Sequence, residues 1–214
     1  MTNLKINKDY IIYKLINKAN NTELLESIPY VDYLDMAIIF YQVVEGFNDG
    51  EGTCALITNK HLEDSDILLK DLMLCASENT PRLLGLKING ILSSIAEYSG
   101  DDTLVEALEE ELGVDADMFP LYVATNKVAS NGAAVILYKD MLKAMAAKLK
   151  SDLYVIPCSI HEVILVKVMK NCQMNTEEIR KLIAEVNRTE LRFSDILSDS
   201  LYYYSRETGV LSYA

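Results

Sequence analysis

The apolar residues of this 214-residue chain change their period several times along its length, and each change predicts an element. Between Tyr10 and Lys18 the apolar positions Ile11, Ile12, Leu15 and Ile16 recur at helical spacing, which predicts a short amphipathic helix with a break at Ile28-Pro29. The run that begins at Met36 and continues through Ala37, Ile38, Ile39, Phe40 and Tyr41 is apolar without interruption and predicts a strand buried on both faces. Turn-forming residues over Phe47-Asn48-Asp49-Gly50-Glu51-Gly52 lead to a second strand, Thr53 to Thr58, and the pair reads as an antiparallel hairpin. Asp66 stands where it can cap a helix whose stripe is Leu68, Leu69, Leu72, Met73 and Ala76, a helix expected to stop before Pro81.

Thr103 and Glu106 have the spacing of a capping box, followed by Leu104, Val105, Leu108 and Leu112 on one face and Glu106, Glu109, Glu110 and Glu111 mostly on the other, with Gly113 closing the helix. Such an acidic face can dock a partner, although a solvated helix surface is its usual explanation. Beyond Met118 two strands are predicted, FPLYVAT and AAVILY, separated by a turn from Asn126 to Gly132. A helix from Lys139 to Leu149 follows, with Leu142, Met145, Ala146 and Leu149 inward, and then two more strands, DLYVIP and HEVILVKV. A helix from Thr176 to Val186, capped by Asn175 or Thr176, turns Ile179, Leu182, Ile183 and Val186 inward. The end of the chain reads as a hairpin of Leu201–Tyr204 with Val210–Tyr213 about Glu207-Thr208-Gly209. Strands therefore pair mostly with sequence neighbours, and the expected fold is α+β: one domain over residues 1–214 with a mainly antiparallel sheet and helices packed on it. Thr58-Asn59-Lys60 and Thr125-Asn126-Lys127 each follow an apolar strand, an echo that raises two similar strand-turn-helix halves.

Composition agrees with a folded chain, since hydrophobic residues make up 50% and charged ones 24%. Lys and Arg total 20 against 32 Asp and Glu, a formal charge of -12, and that field repels phosphate backbones and anionic headgroups. Nucleic acid and membrane are therefore not expected partners; a protein or a small molecule is, with the oligomeric state left open. The N-terminal residues offer no secretory apolar region, and no apolar stretch approaches the roughly 20 residues that span a bilayer. Cys54, Cys75, Cys158 and Cys172 contain no C-x-x-C pair and suit free thiols in a reducing cytoplasm. With His61 and His161 the only imidazoles, neither a metal site nor a cofactor is predicted.

The segment from Thr125 through Val166, TNKVASNGAAVILYKDMLKAMAAKLKSDLYVIPCSIHEVILV, resembles a family of uncharacterised bacterial proteins known as the domain of unknown function numbered fifty-six eighty-eight. The resemblance extends back through IIYKLIN, YLDMAIIFY and ENTPRLL and forward to LSDSLYYYSRETGVL, most of the chain. It implies a further segment ahead of IIYKLIN, so the expected domain lacks an N-terminal part of the family, and it implies no activity. More distantly, the strand-helix-strand-strand block is similar to that of YtpQ-type uncharacterised proteins, with Ser159, His161 and Glu162 after Pro157 in the place of their polar pair.

Two loops carry residues capable of chemistry. Pro157-Cys158-Ser159-Ile160-His161-Glu162 places a thiol, a hydroxyl, an imidazole and a carboxylate between two apolar strands, so His161 is a candidate acid or base, Glu162 its orienting carboxylate and Ser159 a candidate nucleophile. Against this, no G-x-S-x-G elbow is present, and a turn histidine that binds backbone groups explains the same residues. Asn126, Lys127, Asn131 and Gly132 form the second candidate, two amides, an ammonium and a permissive backbone suited to a small anion, although turn chemistry alone accounts for them. Two functions follow from different classes: a cytoplasmic non-catalytic interaction or regulatory module, and a hydrolase-like enzyme acting on a small molecule or peptide through His161 and Glu162. The enzyme requires both loops to meet over one pocket.

Overall fold

The computed structural model describes residues 4–48, 51–101, 103, 107, 110, 120–169 and 175–214. Its first sheet is organised by β3 (Met36–Asn48), which pairs antiparallel along one side with β1 (Ile11–Asn17). The other side is shared by β2 (Tyr30–Tyr33), opposite Met36–Ile39, and β4 (Glu51–Leu56), opposite Tyr41–Asn48. The hairpin of β3 and β4 is the one the turn residues predict.

The first sheet is covered on both faces, as the unbroken apolar run requires. Met36, Ile38 and Phe40 enter the main core, whereas Ala37 and Ile39 enter a second cluster with Leu25 and Ile28 from α1 (Thr22–Ser27) and the residue after it. β1 alternates in the same way, with Ile11, Tyr13 and Leu15 in the main core and Ile12 in a third cluster with Val43 and Leu84. This corrects the helix expected over Tyr10–Lys18. A seven-residue segment with three Ile and a Tyr at Ile11–Asn17 matches helical and extended periods alike, and the seven-pair ladder on β3 decides for the strand.

The second sheet has six strands in the order β10 (Leu211–Tyr213), β9 (Tyr202–Tyr204), β7 (Leu153–Pro157), β8 (Val163–Lys167), β6 (Leu121–Thr125) and β5 (Lys87–Gly90), antiparallel throughout. The fold is thus α+β with antiparallel sheets. The AAVILY segment is not one of its strands: Gly132–Leu137 forms a buried 3-10 helix. A short continuous apolar run fits a buried strand and a buried helical turn equally, and here every residue from Gly132 to Ile136 is enclosed. Likewise Thr58-Asn59-Lys60 opens α2 (Asn59–Ser65), whereas Thr125-Asn126-Lys127 ends a strand and enters a turn, so the echoed tripeptides adopt different structures.

Helix α3 (Leu69–Leu84) starts after Leu68 and continues through Pro81; Asp66, expected to cap it, instead ends α2 with φ 56°. Around the proline, side chains fasten the last turns of the helix to β1 and to the residues before it. Thr80 Oγ1 donates to the Ala76 carbonyl at 2.7 Å and accepts from the Tyr13 N–H at 3.1 Å. Asn79 Nδ2 donates to the Lys8 carbonyl at 2.7 Å, and Gly85, with φ +65°, closes the helix by donating to the Pro81 carbonyl at 3.0 Å. Together α3, the 3-10 helix and α5 (Met141–Leu149) join both sheets in one cluster that includes Leu72, Ala134, Met145, Val155 and Tyr202. α4 (Ile91–Ser99) follows β5, and α6 (Thr176–Glu190) precedes β9.

A polar knot ties the sheets at another point. Asp35, in the tight turn between β2 and β3, accepts from Ser198 Oγ at 2.7 Å, Ser200 Oγ at 2.9 Å and the Tyr202 hydroxyl. Asn187 of α6 donates to the Ser198 carbonyl at 3.0 Å and to Asp199 Oδ1 at 2.7 Å. That anchor sets the rotation of α6, so Ile183 and Asn187 face inward while Leu182 and Val186, expected inside, are 58% and 41% exposed. Asn175 caps this helix as expected, accepting from the Glu178 N–H at 3.4 Å. The predicted helix after Thr103, with most of its glutamates, and Cys172 lie outside the described residues.

Two substitutions test this account by denaturant unfolding. Thr80→Val keeps shape but strips the Tyr13 N–H of its acceptor, and is expected to destabilise by about 1–3 kcal/mol. Tyr13→Phe removes a buried hydroxyl that has no hydrogen-bond partner among the described residues, and is expected to be neutral or to stabilise by about 1 kcal/mol. Equal losses in the two variants would contradict both assignments.

Candidate functional site

Strand register brings the two candidate loops together. β8 lies between β7 and β6, with Val163 opposite both Pro157 and Ala124, so the loop Cys158–Glu162 and the chain leaving β6 at Thr125 emerge at the same end of the sheet. Thr125 Oγ1 then donates to the His161 carbonyl at 2.8 Å, and the Ala133 N–H donates to the Ile160 carbonyl at 3.1 Å. The two loops therefore meet through backbone groups, while the cleft beside them is lined by Thr125 and Ala129 and by no residue of 157–162.

Each candidate side chain has a defined task there. Asn126, almost fully buried, closes its own turn: Oδ1 accepts from the Val128 N–H at 3.0 Å and the Ser130 N–H at 3.4 Å, while Nδ2 donates to the Ser130 carbonyl at 2.8 Å. Lys127 donates its N–H to the Leu84 carbonyl at 2.9 Å, and its aliphatic stem crosses Gly85 so closely that an added Cβ there would lie 2.8 Å from Lys127 Cδ. Asn131 takes a left-handed backbone, φ 51°, the conformation asparagine tolerates best among non-glycine residues. Gly132 is required by contact: a Cβ would fall 2.0 Å from Thr125 Oγ1 and 2.5 Å from the His161 carbonyl oxygen.

In the facing loop, Ser159 Oγ accepts from the His161 N–H at 3.0 Å, a local turn bond rather than a contact with the imidazole. His161 Nδ1 accepts from the Asn131 N–H at 3.2 Å. Because a backbone N–H can only donate, Nδ1 must be unprotonated, which leaves the proton of the neutral ring on Nε2. Glu162 Oε2 accepts from the hydroxyl of Tyr98, at 2.8 Å. Partial desolvation, helped by that carboxylate, pushes the Tyr98 phenol up to about 12. Burial, reinforced by Glu162, likewise pushes the Cys158 thiol up to about 12, far from a thiolate nucleophile at neutral pH. Beside the junction lies a small cleft of about 150 Å³ lined by Lys87, Asn89, Glu97, Tyr98, Val123 and Thr125. Lys87 is ion-paired with Glu97, which also accepts from Asn89 Nδ2 at 3.2 Å.

Tyr98 and Thr125 are the partners sequence reasoning misses. Tyr98 meets Glu162 across 64 residues, and no local pattern signals it. The other imidazole repeats the His161 arrangement, since His61 Nδ1 accepts from the Thr58 N–H at 3.0 Å where α2 begins. Among the described residues no group of three or more His, Cys, Asp or Glu is arranged to hold a metal ion, and no helix is long and apolar enough to cross a membrane.

These bonds predict the proton position of both rings. A long-range 1H–15N correlation spectrum at about pH 8 is expected to show pyridine-type nitrogen at Nδ1 in His61 and His161 alike. A protonated Nδ1 in either ring would contradict the geometry at that turn.

No curated protein and no solved structure matches this chain. A family model does match, over residues 1–206, and so covers both loops, the tyrosine-rich β9 and the whole of the described core. On that match the chain belongs to the family of unknown function DUF5688.

Proposed function

We propose that this chain is a bacterial, cytoplasmic, non-catalytic interaction or regulatory module, and that its contact element is α6. The observation that carries this reading is the outward ridge of Leu182 and Val186, exposed on a helix whose inward face is already occupied by Ile183 and Asn187. Residues four apart stand one above the other on a helix, so the two form one apolar strip. Exposed Glu178 and Glu185 flank Leu182 at one-turn spacing, and Glu190 stands one turn beyond Val186. An apolar strip with an acidic border, in a chain of net charge -12, complements a protein segment that presents apolar side chains among Lys and Arg.

The enzyme reading, with His161 and Glu162 at its centre, draws support from the meeting of the two loops at one end of the sheet. It is the weaker of the two because the groups it needs are engaged in holding the turns: Ser159 with the His161 backbone, Glu162 with Tyr98, and His161 Nδ1 with Asn131.

Tagged full-length chain expressed in its source cell separates the readings. A basic protein partner is expected to co-purify at fixed stoichiometry, to be released as salt rises, and to be lost on Leu182→Glu with Val186→Glu while His161→Ala retains it. Retention of the same partner by the Leu182/Val186 variant, or the absence of any stoichiometric partner, would overturn the proposal.

A further inference from the structure

A further cleft lies away from both the loop junction and α6. It opens between the start of α5 and the β9–β10 hairpin, with a volume of about 570 Å³. Small-molecule sites usually occupy roughly 300–1,000 Å³, so this one has room for a metabolite. Its rim carries Lys139, Lys143 and Arg206 against two carboxylates, Asp140 and Glu207. Lys143 and Asp140 stand 4.0 Å apart, so part of the negative charge is already met by the rim itself. Among the charged lining residues the cations outnumber the carboxylates by one, in a chain of net charge -12, while the Asp152 carboxylate stands behind Arg206 outside the lining.

Arg206 is held in place from behind. Its N–H donates to Asp152 Oδ1 at 2.7 Å, and the same carboxylate accepts from the Tyr203 hydroxyl at 2.7 Å. These bonds fix the backbone of the hairpin, and the exposed Arg206 borders both this cleft and a neighbouring one lined by Lys150 and Asp152. Tyr33, Tyr138 and Tyr204 also line the cleft, and because the Tyr138 hydroxyl already donates to the Thr80 carbonyl at 3.5 Å, Tyr33 and Tyr204 are the phenols left to meet a ligand. Burial raises all three above the ordinary tyrosine value, with Asp140 adding to the rise at Tyr204, so they remain protonated hydrogen-bond donors. Behind Tyr138, at a ring separation of 6.4 Å, stands Tyr13, whose buried hydroxyl has no hydrogen-bond partner among the described residues. Cations at a rim and neutral O–H donors beneath it are complementary to an anion that carries several acceptor oxygens.

We propose that this cleft binds a small organic anion bearing phosphate or carboxylate groups, with Lys139, Lys143 and Arg206 meeting its charge and the hydroxyls of Tyr33 and Tyr204 its oxygens. The site is distinct from the α6 ridge and does not depend on it; a module that uses both would couple a metabolite to a protein partner.

The test is a 1H–15N titration of the full chain with inorganic pyrophosphate and, separately, with citrate. Saturable shifts are expected at Tyr138–Lys143 and Ser205–Gly209, beyond those given by sodium chloride at equal ionic strength. The stronger probe decides between phosphate and carboxylate. Lys143→Gln with Arg206→Gln, both exposed positions, is expected to weaken binding at least about tenfold, since it removes two charge-assisted contacts while leaving the amide spectrum elsewhere unchanged. Shifts that merely follow ionic strength, none up to about 10 mM of either probe, or equal affinity in the double variant would overturn the proposal.

Discussion

The antiparallel ladder between β1 and β3 is the constraint on which the rest of this fold depends. Seven residue pairs join Ile11–Asn17 to Met36–Gln42, and every side chain from Met36 to Phe40 is enclosed. Burying one such side chain contributes about 1.5–3 kcal/mol, and the pleat sends neighbours to opposite faces, so neither face of this sheet can be left to solvent. One face is met by α3, the buried 3-10 helix and the second sheet; the other is met in part by α1. Thr80 links this hydrophobic demand to a polar one, because the same hydroxyl completes α3 beside Pro81 and satisfies the Tyr13 N–H of β1.

The loop junction at one end of the second sheet is built on the same economy. Antiparallel register brings Thr125 beside the His161 carbonyl, and the close approach at Gly132 leaves no space for a side chain. Residue types that suggest chemistry when read along the chain, an imidazole, a hydroxyl, an amide and a glycine, here satisfy backbone donors and acceptors in two turns that would otherwise be buried without partners. The surfaces that remain open lie elsewhere. The α6 ridge is apolar with an acidic border, whereas the cleft beside α5 is polar, with Lys139, Lys143 and Arg206 among its lining, and the two are suited to different classes of partner.

Much of this was legible in the sequence, and what was missed has definite causes. The doubly buried β3, its hairpin with β4, the strands at Leu121, Leu153 and Val163, the Asn175 cap and the Gly209 turn all follow from local pattern, because run length, turn residues and caps act over a few positions. The strand at Ile11, the 3-10 helix at Gly132 and the passage of α3 through Pro81 do not. In the first two, local preference is nearly balanced and a partner distant in sequence decides, β3 for one and the Thr125 and His161 loop for the other; in the third, local preference is against the helix, and contacts to Tyr13 and Lys8 anchor the turn that carries Pro81.

The sequence by itself determined that the chain folds, that its sheets are antiparallel, and which loops hold Ser159, His161, Glu162, Asn126, Lys127, Asn131 and Gly132, since these depend on composition, period and turn chemistry. Only the tertiary structure decided what those residues touch. It also decided that Asn187 faces inward while Leu182 faces out, and that Lys139, Lys143 and Arg206 share a cleft with Tyr33. The physical reason is separation along the chain: a hydrogen bond between Tyr98 and Glu162 or between Asp35 and Tyr202 forms only after packing has brought the segments together, and neither residue carries a local sign of its partner.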